Sequence, residues 1–121
     1  AKNKGVTITT PRALTPGFDI TIAQIDKKWV RAKADLKREK QVYGRWSMGK
    51  MWMTIFNGDQ VVKQGAMRFD RYLQAGKWTS VWIDMTVPKE PFDKIRVHFE
   101  NADSNNQLEI NNLQLEAFDE D

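Results

Sequence analysis

The stretch GKWTSVWIDMTV, residues 76–87, decides how the rest of the chain is read. Thr79, Val81, Ile83, Met85 and Val87 fall on one parity, and Trp78, Ser80, Trp82 and Asp84 on the other. A β-strand sends alternate side chains to opposite faces, so this is a strand with one aliphatic and one mixed face. The same period of two recurs on both sides. In residues 29–37, Val30, Ala32, Ala34 and Leu36 alternate with Trp29, Arg31, Lys33, Asp35 and Lys37. Met51, Met53 and Ile55 alternate with Trp52, Thr54 and Phe56, and Ile95, Val97 and Phe99 with Lys94, Arg96, His98 and Glu100.

Turn chemistry separates these runs. Asn57, Gly58 and Asp59 form a strong hairpin signal, because Asn and Gly tolerate positive φ. Ala75 and Gly76 precede the strand at 78, Pro88 and Pro91 bracket a loop, and residues 102–106 form a polar turn. Thr15, Pro16 and Gly17 turn into a strand over residues 18–22, and a short helix fits residues 69–73. The last strand slips phase: Leu108 and Ile110 share one parity, and Leu113, Leu115 and Ala117 the other. A bulge at Asn111 and Asn112 restores a single buried face.

About eight short strands with regular turns predict an all-β, antiparallel β-sandwich. Its expected core is Val30, Ile55, Val81, Ile83, Ile95, Val97, Leu113 and Leu115. The 121 residues carry no internal repeat or linker and read as a single domain, 1–121. A hydrophobic share of 40%, with 5 Trp and 6 Phe, suffices for one core.

The chain has no Cys, which excludes disulfides and thiolate metal sites. No apolar run approaches the ~20 residues of a membrane span, so direct membrane insertion of this segment is not expected. The N-terminus carries no signal-peptide core, which leaves two readings, a cytoplasmic protein or a fragment whose targeting segment was cut away, and a start on Ala1 without Met favours the fragment. The net charge is +3, with seven cations between Lys27 and Lys40. A basic stretch can mark nucleic acid or anionic membrane; a solvated strand face is the simpler reading, and no nucleic-acid partner is expected.

Catalytic chemistry is sparse. His98 is the only histidine, which rules out a two-His mechanism. Ser47, Ser80 and Ser104 are the only serines, and none lies in a nucleophile elbow. No phosphate-binding glycine loop is present. A carboxylate pair for glycoside hydrolysis could be drawn from the 16 acids, but no motif singles one out. The expectation is a non-enzyme with no catalytic residues.

The aromatics are the functional lead. Trp29, Trp52, Trp78 and Trp82 lie opposite the aliphatic parity, beside Arg31, Asp35, Asp84, Arg96 and His98. If the sheets align, these line one surface. Flat apolar rings stack on sugar C–H faces, while carboxylate, guanidinium and amide groups fix hydroxyls. The candidate ligand residues are Trp52, Trp82, Arg31, Arg96, Asp84 and, on the loop after Gly44, Trp46. The competing reading has these Trp filling a second face, covering an edge or packing under a loop.

The segment 76–118 also resembles the second half of carbohydrate-binding-module and galactose-binding-like jelly rolls. Gly76, Lys77 and Trp78 match the turn that opens a strand, Ile95, Arg96 and Val97 a middle strand, and Leu108 through Glu116 the closing strand. Residues 15–18 and 28–32 look like similar sandwiches at the extracytoplasmic ends of bacterial glycosyltransferase-type membrane proteins. The resemblance implies a non-catalytic, carbohydrate-binding or glycan-associated accessory domain, outside the cytoplasm and tethered to a membrane or larger polypeptide. Asn111 stands where the family usually has Asp, so a structural calcium, the one cofactor the resemblance suggests, loses a carboxylate. The alternative is a structural or protein-interaction sandwich with no small-molecule ligand.

Overall fold

The computed structural model describes residues 6–8, 18–21, 25–44, 48–101 and 106–119. Eight strands run β1 (Val6–Ile8), β2 (Phe18–Thr21), β3 (Trp29–Arg38), β4 (Lys50–Asn57), β5 (Gln60–Arg68), β6 (Thr79–Thr86), β7 (Lys94–Glu100) and β8 (Leu108–Phe118). A short 3₁₀ turn covers Phe69–Arg71, inside the expected helix at 69–73. The strands form two antiparallel four-stranded sheets, ordered β1-β8-β3-β6 and β2-β7-β4-β5. Among the described strands, only β4 and β5 are consecutive within one sheet; every other step crosses to the opposite sheet. This is the eight-stranded jelly roll.

The period-two pattern explains the layers. On β3, Val30, Ala32, Ala34, Leu36 and Arg38 are buried while the intervening residues are half-exposed. The first sheet adds Val81, Ile83, Met85, Leu108, Ile110 and Leu113; the second adds Met51, Met53, Ile55, Ile95, Val97 and Phe99. All eight expected core residues lie in or against this cluster, with Leu115 partly buried at its rim. At 25 cal/mol per Å² or so, this apolar burial is the dominant favourable term.

The turns follow their residues. Gly58 (φ +59) and Gly76 (φ +76) take left-handed backbone in the turns where the sequence placed them. Asn112 (φ 53) is the described non-glycine residue with positive φ, and the β3–β8 register shifts between Lys33 and Asp35. The bulge expected at Asn111 and Asn112 is thus in place, and Leu113 returns to the core. The turn expected at residues 15–17, and all but Asn106 of the one expected at 102–106, lie outside the described residues.

Candidate functional site

The antiparallel register arranges the outward face of the first sheet into rows. Across β6, β3 and β8, these are Ser80–Asp35–Asn111, Trp82–Lys33–Gln114, Asp84–Arg31–Glu116 and Thr86–Trp29–Phe118. Trp78, one residue before β6, faces Lys37, whose Nζ lies 5.8 Å from the ring centre. Trp78 and Trp82 are 49% and 50% exposed. Four residues of extended strand set them roughly 13 Å apart.

Hydrogen bonds fix the polar groups between these rings. The Ser80 hydroxyl donates to Asp35 Oδ1 at 2.6 Å, and the Asn112 amide donates to Asp35 Oδ2 at 2.8 Å. These bonds, Asn112's foremost, hold the Asp35 carboxyl below its usual range, so it stands ionised as an acceptor. Arg31 clasps Asp84 with two bonds, Nε to Oδ1 at 2.6 Å and Nη2 to Oδ2 at 3.0 Å. Its guanidinium also lies 5.6 Å from the Trp82 ring and 4.9 Å from Phe118. The Asp84 hydrogen bond raises the Arg31 pKa above its ordinary value. Lys33, Asp35, Ser80, Asn112 and Gln114 line a depression of about 230 Å³. Around the β6 edge, Met67, Tyr72, Val81 and Trp82 border a second of about 420 Å³, which Ser80 also lines.

Trp82, Arg31 and Asp84 therefore come together. Trp52 and Arg96 do not join them: β4 and β7 belong to the other sheet, and the two Trp lie on opposite sides of the sandwich. The single surface expected from shared parity is corrected here, because parity within a strand does not say which sheet the strand joins. Trp52 stacks on His98 (6.0 Å, 3° between planes) and its indole N–H reaches Glu100 Oε1 at 3.4 Å. Arg96 lies 5.0 Å from the Phe56 ring. Both are half-buried parts of a packed face. Trp46 lies outside the described residues.

His98 has a buried Nδ1 with no hydrogen-bond partner among the described residues. Burial, then neighbouring Arg96, pushes its pKa down, opposed by Glu100. At Asn111, the side-chain oxygen accepts the Asn112 N–H at 3.0 Å, and the facing carboxylate of Asp35 accepts two hydrogen bonds. Among the described residues no group of three or more His, Cys, Asp or Glu could hold a metal.

The sequence reading missed one buried polar cluster. Arg38 is 1% exposed and donates Nε and Nη2 to the two Asp70 carboxylate oxygens, each at 2.9 Å. Its Nη1 donates to Asn101 Oδ1 at 2.7 Å and to the Asn106 carbonyl at 2.9 Å. The Gly49 N–H completes the set at Asp70 Oδ2, 2.7 Å away. The signal was present, since Arg38 falls on the aliphatic parity of β3.

No protein-family model matches the chain, and no curated protein does. Solved structures do. A Family 16 Carbohydrate Binding Module-2 superposes with a TM-score of 0.62 at 17% identity, over 93% of this chain and 75% of that one. The fold they share is the jelly roll. The EclA C-terminal domain, a sugar-binding protein, gives 0.51 at 15% identity over 96% and 79% of the two chains. VP2 of the infectious bursal disease virus subviral particle gives 0.51 at 16%, over 93% of this chain and 32% of that one. The chain thus shares its jelly-roll β-sandwich fold with these proteins.

Proposed function

We propose that this domain is a non-catalytic carbohydrate-binding module whose ligand lies along the outward face of β6. One observation carries the reading: two half-exposed rings, Trp82 on β6 and Trp78 just before it, flank Ser80 beside a hydrogen-bonded polar floor. A run of sugar units can stack on both rings while Asp35, Asn112, Gln114 and Lys33 meet its hydroxyls. The sugar-binding proteins among the structural neighbours support the reading, although the same fold in a subviral particle shows that fold does not fix function.

Hydrolysis is not part of the proposal. Asp35 faces Ser80, and Asp84 lies four residues further along β6, so their backbones stand roughly 13 Å apart. Inverting pairs keep their carboxyls ~6.5–9.5 Å apart and retaining pairs closer. Asp84 is also committed to Arg31, and His98 sits on the other sheet. We further propose an accessory place in a larger extracytoplasmic protein, on the resemblance of residues 15–18 and 28–32 to such domains. No helix among the described residues is long and apolar enough to cross a membrane.

The test is Trp82→Ala beside Trp78→Ala. Each removes a half-exposed ring, so the melting temperature should change little. Stacking contributes about 1 kcal/mol per ring, so each variant should lose several-fold in glycan affinity. A glycan array that finds no ligand for the parent, or binding by both variants equal to the parent's, removes the proposal.

A further inference from the structure

Beyond Trp82, the sandwich edge leads to a basic recess. The depression that Trp82 borders is also lined by Met67 and Tyr72. Those two residues line a second depression of about 370 Å³, with Lys50, Ala66, Arg68 and Arg71. The two recesses therefore meet at Met67 and Tyr72, and a path runs from the Trp82 ring around the β5–β6 edge to three cations. Tyr72 is 61% exposed at the junction.

The three cations there outnumber the one carboxylate beside them, Glu100. Lys50 and Arg68 are direct cross-strand partners on β4 and β5, an arrangement in which like charges repel. On its other side Lys50 is register partner to Glu100, but that carboxylate accepts the Trp52 indole N–H, and the Lys50 ammonium lies 5.6 Å from the same ring. None of the ion pairs among the described residues includes Lys50, Arg68 or Arg71. The nearest acid in sequence, Asp70, is fully buried against Arg38. A recess with an exposed aromatic, two guanidiniums and an ammonium is built for anions.

We propose that the ligand is an acidic glycan: neutral faces of its sugars stack on Trp82 and Tyr72, and its carboxylate or sulfate groups enter the recess of Arg68, Arg71 and Lys50. This rests on the glycan-binding reading of β6 and names the substrate class of that site. Arginine forks match the two oxygens of a carboxylate or sulfate, and the attraction weakens as salt screens it.

The experiment measures binding of the intact domain to polygalacturonate, its fully methyl-esterified form, dextran sulfate and dextran, at low and high salt. A single-stranded oligonucleotide serves as competitor, and melting temperature is recorded for every variant. The expected result is tenfold or greater preference for one charged polymer over its neutral counterpart at low salt. Which pair shows it separates uronate from sulfate. The doubly substituted Arg68→Gln, Arg71→Gln protein should lose about tenfold for the charged polymer and nothing for the neutral one; Trp82→Ala should weaken both. Equal affinity for charged and neutral polymers, with Trp82→Ala still deleterious, overturns the acidic preference and leaves the glycan site standing. Charged-polymer binding insensitive to the arginine changes, or tighter binding of the oligonucleotide, also overturns it. No polymer bound at all removes the underlying reading instead.

Discussion

Arg38 shows how a single residue can carry more of the fold than its position suggests. Its guanidinium ties the end of β3 to Asp70 beyond β5, Asn101 beyond β7 and Asn106 before β8. A buried ion pair need not stabilise more than apolar side chains of the same volume, but removing one partner strands the other charge. Arg38→Ala should therefore destabilise by about 3–5 kcal/mol, by leaving the Asp70 carboxyl buried without its ion-pair partner. Urea unfolding of the variant measures this, and a change under about 1 kcal/mol would mean that the cluster is replaced by water. Arg38 sits on the buried parity, yet the basic stretch around it reads as a solvated face, and its partners were not legible, since Asp70, Asn101 and Asn106 lie in segments with no hydrophobic period to read. Trp82 shows the opposite case: parity removed it from the core, and the structure leaves it half-exposed.

At the level of elements, β8 is the strand whose sequence contains its own correction. Leu108 and Ile110 need one parity and Leu113 the other, and Asn112 reconciles them in left-handed backbone while its amide holds Asp35. Asn visits that region more readily than most residues, whereas a β-branched side chain is strained there. Asn112→Val should destabilise the domain by roughly 1–3 kcal/mol and release one of the two bonds on Asp35. Asn112→Gly should keep the stability and still weaken glycan affinity, which separates the bulge from the site. Stability curves and binding isotherms on the two variants decide this, and a fully stable Val variant would show that the bulge can move. Strands β3, β4, β6 and β7 were readable because their sequences alternate, and β8 because it alternates on either side of its slip. Strand β5 was not, since Val61 and Val62 adjoin, and Lys63 and Gly65 occupy inward register positions opposite Ile55 and Met53. Lys63 escapes burial by donating to Thr86 across the sandwich edge.

The whole molecule divides its labour between two outer faces. Pairing of strands far apart in sequence, β3 with β8 and β4 with β7, decided which Trp share a surface, and nothing local encodes that pairing. The first sheet presents half-exposed rings; on the second, Trp52 packs on His98 and Lys50, and Phe56 on Lys94 and Arg96.

That division predicts how the domain responds to acid. In the fold, His98 binds its proton more weakly than the ordinary 6.5, chiefly through burial and then through Arg96. The unfolded chain therefore holds more protons below about pH 6.5, and stability falls as pH drops from 6.5 through the lowered folded value. Asp35 acts in the same direction at lower pH: its carboxyl is held below the ordinary 3.8 by Asn112 and Ser80, so its contribution is present above 3.8 and lost as pH falls beneath it. His98→Phe keeps an aromatic ring against Trp52 and removes the titration. Melting temperatures of parent and variant should diverge between pH 7 and 5, the parent falling and the variant holding, while both decline below pH 4. Asp35→Asn should reverse the pattern, sparing the upper step and flattening the lower one. Parallel curves for parent and His98→Phe across pH 7 to 5 would show that the second face opens to water and that His98 is solvated in solution.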